Sequence, residues 1–125
     1  MGPADWYHFE RAVQDLDKAI AINPSAAFPF AARGRMYRLR GENDRALADL
    51  NRAVALNPQL VFALLERGDA YQVKGDYDQA IADYNRVLAL QPNNPTAQQR
   101  KEAALTAKKG GAPKPAVVAA PEAPR

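Results

Sequence analysis

The sequence predicts an all-α fold of stacked antiparallel helix pairs, on three observations. Pro24, Pro58 and Pro92 stand 34 residues apart, and two further triplets, Ala12/Ala46/Ala80 and Asp15/Asp49/Asp83, keep that interval. Residues 27–60 laid over 61–94 agree at 14 of 34 places without a gap, including Phe28/Phe62, Arg33/Arg67, Gly34/Gly68, Tyr37/Tyr71, Gly41/Gly75 and Ala48/Ala82. Within each unit, apolar residues recur at helical spacing and are interrupted twice by glycine or proline.

The elements follow in chain order. Residues 11–24 share the pattern R-A-x-x-D-L-x-x-A-x-A-x-N-P with 45–58, so residues 6–22 form only the second helix of a unit. A helix is predicted over 27–40, where Phe30, Gly34 and Tyr37, with Phe28 and Leu39, give one packed face. Gly41 breaks it, and Glu42, Asn43 and Asp44 are expected to cap the next helix. From Arg45, the residues Ala46, Leu47, Leu50, Ala53, Val54 and Leu56 resume the period until Asn57-Pro58 stops it. The unit at 61–94 repeats this with Lys74-Gly75-Asp76 as inner turn and Gln91-Pro92 as stop. Small residues such as Gly34, Ala46 and Ala53 mark where helix backbones must approach closely.

After Pro92 one helix remains, and its Gln98, Gln99, Arg100, Lys101, Lys108 and Lys109 suit a solvating cap. The organisation read is a repeat domain over 1–109, with a half repeat at 6–26, full repeats at 27–60 and 61–94, and a capping helix at 95–109. Residues 110–125, with four prolines after Gly110-Gly111, read as a disordered or polyproline-like tail. The half repeat at the start suggests a piece of a longer protein.

Phe30, Gly34, Tyr37, Ala46, Leu50 and Pro58, and again Leu64, Gly68, Tyr71, Ala80, Tyr84 and Pro92, resemble the tetratricopeptide repeat signature W-x-x-L-G-x-x-Y, A-x-x-x-F, P. The resemblance covers about residues 6–108. The departure is the place before the glycine, where the family usually has Leu and this chain has Arg33 and Arg67. The resemblance implies a short right-handed α-solenoid that is not an enzyme and binds a peptide or partner helix in its concave groove.

Composition narrows the chemistry. Cysteine is absent, while His8 and Ser25 are the sole histidine and serine. Thiolate metal sites and multi-histidine sites are therefore excluded, and a Ser-His-acid triad would need both single copies. No catalytic residue, metal or cofactor is implied. The acid pairs Glu42/Asp44, Asp76/Asp78 and Asp15/Asp17 lie mostly at repeat turns, where helix-start charge explains them. Residues 1–99 hold 11 basic and 12 acidic side chains, whereas 100–125 hold six basic against Glu102 and Glu122. The nearly neutral body argues against a dedicated nucleic-acid domain. Apolar runs are too short to span a bilayer and no secretory start is seen, so the cytoplasm is the default compartment unless a longer protein is exported.

Two features call for partners. Arg33 and Arg67 are expected to pair with the recurring aspartates of the second helices as a ladder, with Arg67→Leu tolerated. Arg35, Arg38, Arg40 and Arg45 crowd one region. By the resemblance, first helices line the groove through their second, fifth, sixth, ninth, twelfth and thirteenth places. That assigns Phe28, Ala31, Ala32, Arg35, Arg38 and Leu39, then Phe62, Leu65, Glu66, Asp69, Gln72 and Val73, then Thr96, Gln99 and Arg100. Of these, Phe28, Arg35, Arg38, Leu39, Phe62, Leu65, Glu66, Asp69, Gln72, Val73, Gln99 and Arg100 are the candidate peptide contacts. The surface reads as basic at one end and acidic in the middle.

The clamp that one subclass of the resembled family uses for acidic chaperone tails is matched only at Arg100: its other places fall on Ala31, Arg35, Glu66 and Thr96, and Glu66 is expected to repel a carboxylate. The function read is a protein–protein interaction module. The alternatives are a salt-sensitive binder of nucleic acid or another polyanion through Arg35–Arg45 and the lysine-rich tail, or a regulatory segment of a larger enzyme. Trp6, Tyr7, Phe9, Val13, Leu16 and Ile20 are expected to form an exposed face that supports self-association of the N-terminal helix.

Overall fold

A computed structural model describes residues 3–110. The predicted tail from 111 onward lies outside the described residues. Among the described residues six α-helices follow one another: α1 (Pro3–Ile22), α2 (Ala27–Leu39), α3 (Asn43–Leu56), α4 (Val61–Lys74), α5 (Tyr77–Leu90) and α6 (Pro95–Lys109). No strand occurs among the described residues, and no helix there is long and apolar enough to cross a membrane. The architecture is an all-α solenoid.

Inner and outer turns repeat at atomic detail. Gly41 and Gly75 adopt φ of 85° and 81°, a left-handed conformation that glycine adopts without steric cost. Each lets the next amide fold back, so Glu42 N donates to Tyr37 O and Asp76 N to Tyr71 O, both at 2.9 Å. At the outer turns, Asn23 and Asn57 accept from the amides of Ser25 and Gln59 through their side chains, each at 3.1 Å. The expected side-chain capping of α3 by Glu42, Asn43 and Asp44 is not found. Glu42 occupies the cap without such a bond because its carboxylate turns to Arg45, 3.3 Å away. In α6, by contrast, Asn94 Oδ1 accepts from Ala97 N at 2.9 Å.

Helix contacts fix the curvature. Among the described residues, the first helices α2, α4 and α6 touch in sequence, whereas α1, α3 and α5 contact only first helices. The first helices therefore line the inside of the curve. Ala31, Ala46, Leu50, Ala53 and Ala63 are fully buried in one core cluster, Leu64, Val87 and Ala97 form a second, and Ala80, Tyr84 and Ala104 a third. Packing is close at the repeat glycines. A Cβ on Gly34 would lie 2.8 Å from Leu50 Cγ, and one on Gly68 only 2.6 Å from Tyr84 Cε1.

The N-terminal helix corrects one expectation. Trp6 and Phe9 are buried, at 3% and 7% exposure, rather than part of an open aromatic face. Helix α1 runs back to Pro3 without the inner turn of the other units, which carries both rings toward the end of α2. There the Arg40 guanidinium lies 3.7 Å from the Trp6 ring centroid and 4.8 Å from that of Phe9. Tyr7 and Ile22 remain exposed, and Val13, Leu16 and Ile20 are half-buried.

Candidate interaction groove

The groove is apolar at both ends and ionic between them. At the N-terminal end of the first helices, the Phe28 and Phe62 rings stack with centroids 5.3 Å apart, and Phe28 is 57% exposed. At the other end Leu39 and Val73 are exposed. Between them runs a chain of side chains joining α2, α4, α5 and α6.

Glu66 is the hub of its first half. Arg35 Nη1 donates to Glu66 Oε1 at 3.0 Å, and Arg38 donates to Oε2 through Nη2 at 2.8 Å and Nε at 3.2 Å. Asp69 is the hub of the second half. It accepts from Tyr84 Oη at 2.6 Å and from Arg100, while Arg38 approaches to 4.0 Å. Gln72 lies 3.1 Å from the same tyrosine oxygen. The Arg35–Glu66 and Asp69–Arg100 pairs both span 31 residues, with charge order reversed. Adjacent helix interfaces thus use the same register with opposite polarity.

This arrangement corrects the expected charge pattern. Glu66 is 3% exposed and held by two arginines, so it is not an open acid that repels carboxylates. Asp69 is also largely covered. Arg35 and Arg100 keep 49% and 41% of their side chains exposed, so solvent meets cations above buried anions. Gln99 is exposed, Gln72 half-buried, and Leu65 packs against the second and third core clusters.

Burial pushes the Asp69 carboxyl above the usual carboxylate range and outweighs the opposing Tyr84 hydrogen bond and the Arg100 and Arg38 charges. Burial, then Asp69 itself, raises the Tyr84 hydroxyl, which stays a donor. Since folded Asp69 binds its proton more tightly than unfolded Asp69, its contribution to stability grows as pH falls through the raised value. It levels off below the ordinary aspartate range. Urea midpoints between neutral pH and pH ~4 should therefore move in favour of the parent over Asp69→Asn on acidification. A parallel pair of curves would contradict this.

On the side of the first helices facing the second helices, the arginine ladder is present. Arg33 donates to both Asp49 oxygens at 2.8 Å and to Asp17 at 2.8 Å. Arg67 donates to Asp83 at 2.7 and 2.8 Å and to Asn51 at 3.3 Å. The Asp49 and Asp83 hydrogen bonds, against desolvation, hold both guanidinium groups above arginine's ordinary range. Arg45 lies 4.4 Å over the Tyr37 ring and pairs with Glu42, while Arg38 and Arg40 pair with Glu66 and Glu42. Among the described residues no group of His, Cys, Asp and Glu could hold a metal ion.

Comparison with known proteins agrees with the fold. Residues 61–94 match the family described as tetratricopeptide repeat, and residues 34–75 match one described as TPR repeat. Among curated proteins no sequence match is found. The first TPR domain of human RPAP3 is 27% identical over 85% of this chain and 84% of its own, with a TM-score of 0.80. The first TPR of Spaghetti (RPAP3), bound to the HSP90 peptide SRMEEVD, is 28% identical over 84% and 83%, with a TM-score of 0.79. A thermophilic TPR protein of Thermus thermophilus is 32% identical over 78% of this chain and 50% of its own, with a TM-score of 0.71. The repeats within residues 34–94 are tetratricopeptide repeats.

Proposed function

We propose that this chain is a non-catalytic interaction module whose concave groove takes a peptide segment of a partner protein. The observation that carries this reading is the layering of charge: Arg35 and Arg100 stand open to solvent above Glu66 and Asp69, between the Phe28/Phe62 shelf and Leu39/Val73. A segment with an aromatic or large aliphatic side chain and a nearby carboxylate complements both features. Two neighbours of this fold support the class of ligand, one bound to the HSP90 peptide SRMEEVD and one in complex with the HSP70 peptide SGPTIEEVD. Ala31 and Thr96 still depart from the chaperone-tail clamp, so the groove is assigned to a peptide class and not to those tails.

Selection of peptides from a random library on the whole chain tests the reading. Selected sequences should pair an acid with an apolar anchor, and Phe62→Ser or Arg35→Glu should weaken them about tenfold or more. Binding indifferent to both substitutions would refute the groove. Binding of unrelated polyanions that collapses steeply with salt would point to the polyanion alternative.

A further inference from the structure

We infer that α1 carries a second docking face, built to accept a partner helix that presents a basic residue followed by a glycine. The inference goes beyond the groove and rests on the repeat register. Ala46, Leu50 and Ala53 of α3 are fully buried, as are Ala80, Tyr84 and Val87 of α5. Each set is buried between two first helices, α2 and α4 for α3, and α4 and α6 for α5. The register equivalents on α1 are Ala12, Leu16 and Ala19, and all three are only half-buried. Among the described residues, helix α1 packs on one first helix only, α2.

The electrostatic rung is also unfilled. Asp49 accepts a two-bond fork from Arg33, and Asp83 accepts one from Arg67. The equivalent Asp15 is 62% exposed, and among the described residues its ion pair is with Arg11 of the same helix, 3.7 Å away. A surface pair of this kind contributes little and is readily exchanged. Shape specifies the rest. In both full units the residue after the arginine is glycine, because Leu50 or Tyr84 leaves no room for a Cβ. Leu16 stands at the Leu50 place and makes the same demand. The occupant is thus a helix with an arginine opposite Asp15 and a glycine opposite Leu16.

The last helix of a second copy does not meet this description. At the corresponding places α6 has Lys101 and Glu102, and Glu102 would put a charged side chain where the register requires glycine. The chemistry is instead that of α4, with Arg67 and Gly68.

A fluorescent synthetic peptide of residues 61–74, added to the whole chain, tests the proposal by anisotropy. Saturable binding is expected, weakened about tenfold by Asp15→Lys, an exposed site whose change leaves the fold intact. The same loss is expected when the peptide carries Arg67→Glu, and the two charge reversals together should restore affinity. A peptide with Gly68→Leu should also lose about tenfold. No saturable binding up to about 1 mM peptide would overturn the proposal. So would binding unchanged by Asp15→Lys, binding abolished by Phe62→Ser in the groove, or a homodimer in sedimentation that Leu16→Glu dissolves.

Discussion

Replacing Gly68 with alanine is expected to destabilise the chain by about 2 kcal/mol, although alanine is the better helix former by about 1 kcal/mol. The added methyl would sit 2.6 Å from Tyr84 Cε1 and 3.0 Å from Cδ1 and Cζ. A flexible neighbour could swing away, but this ring cannot. Tyr84 is fully buried, and its hydroxyl is tied to Asp69 at 2.6 Å, so any shift of the ring also disturbs the ionic chain in the groove. The cost should appear as a melting temperature lower by roughly 10 °C. In a Tyr84→Leu background, which removes Cε1 and Cζ, the penalty of Gly68→Ala should fall by about half. A rise in melting temperature on Gly68→Ala in the parent would show that helix propensity governs this site and that the contact does not.

The repeat interval made the helix pairs legible, because proline, glycine and alanine recur where backbones turn or touch. The fold class needed little beyond the triplet of prolines and the two Gly-x-x-Tyr places. The groove was legible in outline only. Reading each place by residue type makes Glu66 an exposed acid, yet its partners across the helix interface, Arg35 and Arg38, stand three and six places further along the repeat. That pairing shows in sequence as a 31-residue interval, and its inverted copy, Asp69–Arg100, hides the signal because charge order switches. Trp6 was misread for a related reason. An aromatic residue at the start of an incomplete unit reads as uncovered, but Arg40, just beyond the next helix, supplies a flat cationic surface for it. Side-chain caps were overestimated because an acidic residue at a helix start has two uses, and Glu42 serves Arg45.

Arg67→Leu places the family's usual residue in the ladder, so a reading by family resemblance expects it to be harmless. The structure leads to the opposite expectation, a loss of about 3 kcal/mol. The Asp83 carboxylate is fully buried and accepts three charge-assisted bonds, two from Arg67 and one from Arg86 at 2.7 Å. Leucine removes two of the three and returns no polar partner. Arg86 is 55% exposed on the same helix and cannot reproduce the fork. Arg67→Lys should fall between parent and leucine variant, since one ammonium cannot satisfy both oxygens in plane. Arg33→Leu should cost less. Its Asp49 retains 10% side-chain exposure, and its other partner, Asp17, is half in solvent and rehydrates freely. The decisive variant is the double replacement Arg67→Leu/Asp83→Leu. Removing both charges takes away the desolvated anion as well as its partner, so stability should return to within about 1 kcal/mol of the parent. Urea unfolding of the parent, Arg67→Leu, Asp83→Leu and the double variant gives the coupling energy directly. Arg67→Leu within about 0.5 kcal/mol of the parent would mean that Asp83 rehydrates or recruits Arg86 fully, and the ladder would then carry no net stability.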